Sequence, residues 1–189
     1  MKQRLSIDYL TQLKELLDTF PHDQFEKIAE VLISAYENEK QVFIMGNGGS
    51  ASTASHFACD INKGCCFDRE KKFKVICLND NIPTMLAYAN DLSYDKVFVE
   101  QLRNFLQPGD VVIGISGSGN SENVLQAVLY AKEKSARTIG LTGFDGGKLA
   151  RIVDLPFVAA INDMQKVEDM HMVVVHMLMQ HFCESLPVS

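Results

Sequence analysis

The sequence predicts an α/β fold in which one parallel β-sheet of five strands lies between two layers of helices, with additional helices at the N-terminus. Short apolar runs of strand length occur at five places: 42–45, 73–78, 111–115, 138–141 and 154–158. Stretches of helical periodicity separate these runs, and glycine-rich turns follow two of them. Because strands that alternate with helices form parallel sheets covered on both faces, we expect a three-layer αβα sandwich.

The first 40 residues are predicted to form two helices. Apolar residues recur at helical spacing up to Phe20, Pro21 interrupts the pattern, and a second helical pattern runs over residues 24–36. A chain of 189 residues suits one domain. We therefore predict a single domain over 1–189, made of a helical extension, 1–40, and an αβα core, 41–189.

Within the core, helical periodicity predicts helices at 50–61, 83–90, 94–105, 121–134 and 163–184. The last of these helices is apolar nearly all round over residues 170–178, so it must be buried on every side. In a chain of this size, we expect another subunit to cover part of it.

Composition excludes several classes of protein. The formal net charge of −6 argues against a nucleic-acid phosphate track, which needs a clustered basic face. No apolar leader follows Met1, and the longest apolar stretch, 170–178, is too short to span a bilayer. The five cysteines form no C-x-x-C pair. We therefore expect a cytoplasmic protein with reduced thiols that binds neither nucleic acid nor membrane.

Two glycine–serine loops follow predicted strands and open predicted helices. The first loop contains Asn47, Gly48, Gly49 and Ser50, and the second contains Ser116, Gly117, Ser118 and Ser121. Glycines let the backbone approach an anion closely, and the free amides at a helix start donate hydrogen bonds to it. The serine hydroxyls add further donors. Two such loops at strand–helix junctions predict a phosphate-binding site.

The type of phosphate compound follows from what the loops lack. Neither loop carries the lysine of a nucleoside-triphosphate P-loop. Gly46, Gly48 and Ala51 match a loose dinucleotide fingerprint, but the acid that would contact the ribose, Asp80, lies more than 30 residues after Gly46. Hydroxyls and amides without a fixed lysine suit a small phosphomonoester, so the predicted ligand is a sugar phosphate.

Histidines and acids on two helices have the spacing of metal ligands or acid–base groups. His56 and Asp60 lie four residues apart after the first loop, so they share one helix face. Glu168, His171 and His176 lie on the last predicted helix. Imidazoles and carboxylates together bind Zn²⁺ in tetrahedral sites. Spacing alone leaves open the more ordinary interpretation, in which these histidines are hydrogen-bonded core or interface residues, as we expect for His171.

Four segments make the sequence similar to a known family. They are 43–50 (FIMGNGGS), 54–58 (ASHFA), 114–121 (GISGSGNS) and 141–147 (LTGFDGG). These segments resemble the phosphoheptose isomerases, which are sedoheptulose 7-phosphate isomerases of the sugar-isomerase (SIS) fold, a flavodoxin-like arrangement. The resemblance covers nearly the whole chain, including the N-terminal helices and the histidine-bearing last helix.

The resemblance implies an enzyme, an aldose–ketose sugar-phosphate isomerase. Such an enzyme interconverts sedoheptulose 7-phosphate and D-glycero-D-manno-heptose 7-phosphate through an enediol, in heptose nucleotide and surface glycan biosynthesis. It also implies a homotetramer whose active sites lie between subunits.

The resemblance further implies the residues of the site. The implied catalytic pair is Asp60 and His176. The implied zinc ligands are His56, Asp60, Glu168 and His176. The implied substrate contacts are Asn47, Gly48, Gly49, Ser50, Asp91, Ser116, Gly117, Ser118, Ser121 and Glu168.

Three positions depart from the family pattern. The family usually has glutamate where this chain has Asp60, which is one methylene shorter. It has glutamine where this chain has Glu168, which adds a negative charge that favours a divalent cation. Gly117 replaces a residue with a hydroxyl group, which removes one phosphate donor. These departures indicate a subgroup of the family.

Two alternative functions stay open at this stage. One is a non-catalytic SIS protein that binds a sugar phosphate or a protein partner, as does the initiator-associating protein of bacteria, which resembles the same family. That protein lacks parts of the metal and acid–base set, whereas His56, Asp60 and His176 are all present here, which favours catalysis. The other alternative is an isomerase of a different sugar phosphate, which the three departures favour.

Overall fold

Five parallel strands form the central sheet. The computed structural model describes residues 2–186, so Met1 and residues 187–189 of the predicted 1–189 domain lie outside the described residues. The strands are β1 (Gln41–Gly46), β2 (Lys74–Cys77), β3 (Val111–Ser116), β4 (Arg137–Gly143) and β5 (Leu155–Ala159). Their order across the sheet is β2-β1-β3-β4-β5, and all neighbouring strands run parallel. All five predicted strands are therefore confirmed.

Helices precede the sheet and connect its strands. They are α1 (Lys2–Asp18), α2 (His22–Glu37), α3 (Gly49–Cys59), α4 (Ile82–Asp91), α5 (Val99–Phe105), α6 (Glu122–Glu133), α7 (Leu149–Ile152) and α8 (Met164–Ser185). Asp163 caps α8, because its side chain accepts a hydrogen bond from the Lys166 amide. Over residues 2–186, no helix combines the length and the apolar composition needed to cross a membrane.

The alternating side chains of the buried strands build two apolar layers. On β1, Val42 and Ile44 point into a layer shared with α2, α3 and α8, whereas Phe43 and Met45 point into a layer shared with α5 and α6. β3 is buried at every residue, as expected for a strand covered on both faces. This arrangement confirms the three-layer αβα prediction.

The predicted helix over 94–105 is wrong as one continuous element. It is divided into a 3₁₀ turn, Tyr94–Lys96, and α5. Val97, Phe98 and Val99 are all buried. One straight helix cannot turn three consecutive side chains toward the same core, because successive residues point about 100° apart. The periodicity of residues 94–105 therefore predicted one helix, but the burial of Val97, Phe98 and Val99 interrupts it.

α3 continues directly into a π-helical turn, Asp60–Cys65, where the sequence predicts ordinary helix as far as residue 61. The wider turn keeps both Ile61 and Cys65 in the core, and the Cys65 thiol donates to the Ile61 carbonyl at 3.2 Å. Turns of this type are frequent at functional sites. Here the turn begins at Asp60, one of the predicted catalytic residues.

The strand order places the two glycine–serine loops side by side. β1 and β3 are neighbours, and the chain continues from them toward opposite edges of the sheet, to β2 and to β4. In open parallel sheets, ligands bind outside the carboxyl ends of the strands at this point of reversal. The loops after β1 and β3 therefore flank the crevice in which a ligand is expected.

Candidate active site

The first loop is held by a side chain from the next strand. Asn79, just after β2, accepts a hydrogen bond from the Gly46 amide at 3.1 Å and donates to the Gly46 carbonyl at 2.8 Å. Gly48 has a φ of 55°, which favours glycine, and its carbonyl accepts from the Ala51 amide at the start of α3. The Gly48 and Gly49 amides make no hydrogen bond to another described residue. These amides are available to an anion.

The second loop has the same form but is built around serines. The hydroxyls of Ser116 and Ser121 lie 3.0 Å apart, and Ser118 is exposed. Gly119 has a φ of 67°, and its amide donates to the Ser116 carbonyl at 2.9 Å. Three serine hydroxyls and the first turn of α6 therefore meet at one end of β3, as expected for a phosphate site.

The segment 141–147 precedes α7 and packs against the backbone of the second loop. A side chain at Gly119 would collide with the Gly146 carbonyl, and one at Gly147 would collide with the Ser118 carbonyl. The Leu149 amide donates to the Gly119 carbonyl at 2.9 Å. The glycines of this segment thus allow two backbones to pack against each other, which fixes the shape of the second loop.

Gly117 lies against the first residue of α8. A Cβ atom at this position would overlap the Met164 sulfur and would meet Val167. The space that a hydroxyl-bearing side chain would need at position 117 is therefore occupied by Met164. Phosphate donors on this loop must come from its serines and its backbone.

Three predicted site residues meet on the outer surface of α3 and α8. The Nε2 atoms of His56 and His176 lie 3.0 Å apart, and Asp60 Oδ2 lies 3.1 Å from His56 Nε2. His56 and His176 are exposed, and Asp60 is half-buried. The second oxygen of Asp60 makes no hydrogen bond to any other residue within 2–186. The group therefore combines two imidazoles with one carboxylate that has an unengaged oxygen.

This donor set fits a divalent metal ion. One nitrogen or oxygen from each of the three residues lies within 4.8 Å of the others. Two nitrogens bound to one tetrahedral zinc at about 2 Å each lie roughly 3.3 Å apart, close to the separation of the two imidazoles. Three protein ligands and one open position are typical of catalytic rather than structural zinc.

Glu168, the fourth predicted ligand, lies elsewhere. Its carboxylate packs against Gly49, where both oxygens lie 2.6 Å from the position that a Cβ atom would take. It makes no hydrogen bond or ion pair with another described residue. Glu168 therefore faces the first loop and is not part of the group that His56, Asp60 and His176 form.

Two predicted sugar contacts are also engaged within the protein. Asn47 bonds through its side chain to Asn123 and Tyr94. Asp91 is exposed at the end of α4 and accepts a hydrogen bond from Asn90 at 2.8 Å. Asn79, Asn123 and Tyr94 are site residues that the sequence reasoning missed. The signal for Asn79 was its place directly after a strand, and that for Asn123 its place in the first turn of the helix after Ser121.

His171 lies beneath the site in the core. It is 1% exposed, and its Nε2 lies 3.1 Å from the Thr142 carbonyl. The Nδ1 atom has no hydrogen-bond partner. Burial lowers the pKa of His171 to about 4, although the bond to Thr142 opposes the shift. His171 is therefore a neutral histidine that joins α8 to β4.

Comparisons with known proteins agree with this geometry. The model of the SIS domain family matches residues 8–143. The phosphoheptose isomerase of Geotalea daltonii is 38% identical over 151 residues, which cover 80% of this chain and 78% of that protein. That of Aliarcobacter butzleri is 33% identical over 95% of this chain and 96% of its own. The solved phosphoheptose isomerase of Francisella tularensis has a TM-score of 0.90 at 26% identity and matches 97% of both chains.

Identity at this level extends over most of both chains, and the solved relative shares the fold almost from end to end. The chain therefore belongs to the phosphoheptose isomerase family of SIS-domain proteins, a family of sugar-phosphate isomerases.

Proposed function

We propose that this enzyme interconverts sedoheptulose 7-phosphate and D-glycero-D-manno-heptose 7-phosphate. The observation that carries the proposal is the position of the acid–base group relative to the loops. α3 begins at Gly49 in the first loop and presents His56 two turns later, about 10 Å along the helix. An extended seven-carbon sugar phosphate can bridge such a distance, with its phosphate on the serines and its carbonyl end near His56, whose Nε2 lies 3.1 Å from Asp60 Oδ2.

Asp60 serves as the base. Its unengaged oxygen takes the proton from C1 of the ketose, the electron pair of the C–H bond forms the enediol, and the same carboxyl group returns the proton to C2. Because the two carbons are adjacent, one carboxyl group can serve both. His176 moves the hydroxyl proton between the two oxygens, which its exposed ring can reach.

We assign the metal site to His56, Asp60 and His176, with Glu168 as the fourth ligand only when no substrate occupies that position. When bound, zinc would act as a Lewis acid that stabilises negative charge on the sugar oxygens. Glu168 also serves as a substrate contact in its observed position above the first loop. Gly48 and Gly49 offer their amides there, and we assign hydroxyl contacts to Asn47 and Asp91.

The phosphate is assigned to the second loop. Ser116, Ser118 and Ser121 supply hydroxyl donors, Gly117 contributes through its backbone alone, and Ser50 adds a donor from the first loop. The α6 N-terminus favours negative charge at this position.

We further propose a homotetramer whose active sites lie between subunits. α4 has no buried residue, although it presents Ile82 and Leu86, which are 62% and 64% exposed. Exposed apolar side chains grouped on one helix are typical of an interface. Leu5 and Leu10 of α1 are exposed in the same way.

We regard the chain as one cytoplasmic SIS domain that acts in heptose nucleotide and surface glycan biosynthesis. The free thiols of all five cysteines support this compartment.

The test is NMR of sedoheptulose 7-phosphate incubated with the zinc-loaded protein in D₂O. We expect a new aldose phosphate that carries solvent deuterium at C2. Asp60→Asn keeps the shape of the side chain and should abolish both signals. His176→Gln should abolish turnover as well, while phosphate still raises the melting temperature.

Two other outcomes would contradict the proposal. If deuterium enters a different sugar phosphate and does not enter sedoheptulose 7-phosphate, the protein is an isomerase of another substrate. The narrow space beside Gly117 is compatible with such a change of substrate. A phosphate-dependent rise in melting temperature without exchange on any sugar phosphate would indicate a binding protein.

Metal binding is tested separately. Zinc titration followed by calorimetry should give one site per chain, and His56→Ala should remove it. Glu168→Gln should weaken the affinity because it removes a negative charge while keeping the side-chain shape. An unchanged affinity would exclude Glu168 as a ligand.

A further inference from the structure

The geometry points to Asn123 as a positioning residue that holds the two glycine–serine loops at one separation. Asn123 and Asn47 face each other through their side-chain amides, and Tyr94 bonds to the same group. We call these three residues the amide clamp. We propose that the clamp sets the distance between the phosphate and the acid–base group.

The two amides form a reciprocal pair. Asn47 Nδ2 donates to Asn123 Oδ1 at 2.9 Å, and Asn123 Nδ2 donates to Asn47 Oδ1 at 3.0 Å. Asn123 Oδ1 also accepts from the Val124 amide at 3.0 Å, which fixes it to the first turn of α6. Two antiparallel bonds define both distance and orientation, whereas a single bond would leave the loops free to rotate.

Tyr94 completes the clamp from a third segment. Its hydroxyl donates to Asn47 Oδ1 at 2.7 Å. A carbonyl oxygen has two lone pairs, and those of Asn47 are now both used. The side chain of Asn47 therefore retains a single free N–H for a ligand, and its main task is to hold the loop.

Asn123 itself is remote from any ligand. Its residue surface is 2% exposed, and all hydrogen bonds of its side chain within residues 2–186 are to Asn47 and Val124. A role in the reaction must therefore act through Asn47. An unpaired amide at this depth would be costly, so the pair is expected to persist in solution.

The clamp joins the two halves of the site. Asn47 precedes α3, which carries His56 and Asp60, and its carbonyl accepts the Ser50 amide at 3.0 Å. Asn123 belongs to α6, which begins directly after the phosphate serines. A substrate held by its phosphate reaches the base only if these two elements keep their spacing. A misplacement of about 1 Å can reduce turnover a hundredfold.

Asn123→Asp tests this role with minimal change of shape. The carboxylate cannot donate to Asn47, but it still accepts from Asn47 and Val124. We expect kcat to fall about ten- to a hundredfold, with KM and the affinity for inorganic phosphate within about threefold of wild type. Tyr94→Phe removes one exposed bond and leaves the fold intact, and it should lower kcat about two- to tenfold.

A second measurement does not depend on activity, because the inference rests on the proposed function. Hydrogen exchange of a peptide that covers residues 46–50 should be at least about tenfold faster in Asn123→Asp. If wild type turns over no sedoheptulose 7-phosphate, the proposed substrate fails, and this exchange still tests the clamp.

Asp110→Asn is the matched control for stability alone. Asp110 is 2% exposed, as Asn123 is, and its carboxylate accepts from the Gln41 and Gln107 amides just before β3, at the end of the sheet opposite to both loops. This variant should lose stability but keep the kcat of its folded fraction and the exchange rate of 46–50. If Asn123→Asp behaves in the same way, the positioning role is refuted.

A double-mutant cycle gives the final decision. If Asn47 acts through the clamp, the double variant Asn47→Ala with Asn123→Ala should be no slower than the slower single variant. If the fold-losses in kcat multiply, the two residues act independently and the inference fails.

Discussion

His171 should make this enzyme less stable in acid. In the native state burial holds the pKa of His171 at about 4, whereas the unfolded chain has an ordinary histidine pKa near 6.5. Between pH 6.5 and pH 4, His171 is protonated in the unfolded chain but neutral in the native state. The stability that His171 contributes is therefore fully present above pH 6.5 and is lost as the pH falls toward 4.

The magnitude follows from these two values. Each pKa unit corresponds to 1.36 kcal/mol, so the loss between pH 7 and pH 5 is about 2 kcal/mol, and the full loss below pH 4 is about 3 kcal/mol. Domains of this size are stable by roughly 5–15 kcal/mol, so the effect is a substantial fraction of the total. His171→Gln should remove it, because the glutamine amide can donate to the Thr142 carbonyl and does not titrate.

The assay is urea unfolding of both proteins at pH 7 and at pH 5, at one protein concentration. The stability difference between the two pH values should be larger in wild type than in His171→Gln by about 2 kcal/mol. Leu178→Ala, which changes a buried residue of the same helix that does not titrate, should lower the stability at both pH values and keep the wild-type pH dependence. Parallel pH dependence in wild type and His171→Gln would refute the argument.

Three further predictions follow from close contacts and exposed surfaces. Gly117→Ser should reduce the free energy of unfolding by no more than about 1 kcal/mol, because the overlapping side chain of Met164 is flexible and 36% exposed, and adding Met164→Ala should remove this cost in urea unfolding. Gly49→Ala should displace the Glu168 carboxylate and lower turnover with little change in melting temperature, whereas wild-type turnover would show that the observed position of Glu168 is not used. Leu86→Glu should lower the mass of the proposed oligomer in light scattering, and an unchanged mass would remove α4 from the proposed interface.

Much of the fold could be predicted because strands and loops are encoded locally. β1 and β3 are short apolar runs that end in glycine or serine, and the loops that follow carry the residues that leave backbone amides free. The pairing of His56 with Asp60 could also be predicted, since a helix brings residues four apart to one face. Their meeting with His176 came from the family resemblance and not from spacing.

The parts that could not be predicted depend on contacts between distant segments. The family resemblance implied a substrate contact for Asn47, but it could not show that a partner 76 residues away also engages the Asn47 amide. The position of Glu168 over Gly49 likewise depends on how α8 packs across α3. In the sequence, Gly117 indicated only the loss of a phosphate donor. The structure gives a steric reason for glycine at this position, because Met164 occupies the space beside it.

α8 contacts the site at four successive levels. Met164 fills the space at Gly117, Glu168 lies on Gly49, His171 is bonded to β4, and His176 meets His56. The phosphate end and the reactive end of the crevice are thus aligned by one helix of 22 residues. If α8 loosens on warming, the Gly117 and His176 ends of the crevice are expected to lose order together. We therefore expect phosphate affinity and turnover to fall over the same temperature range.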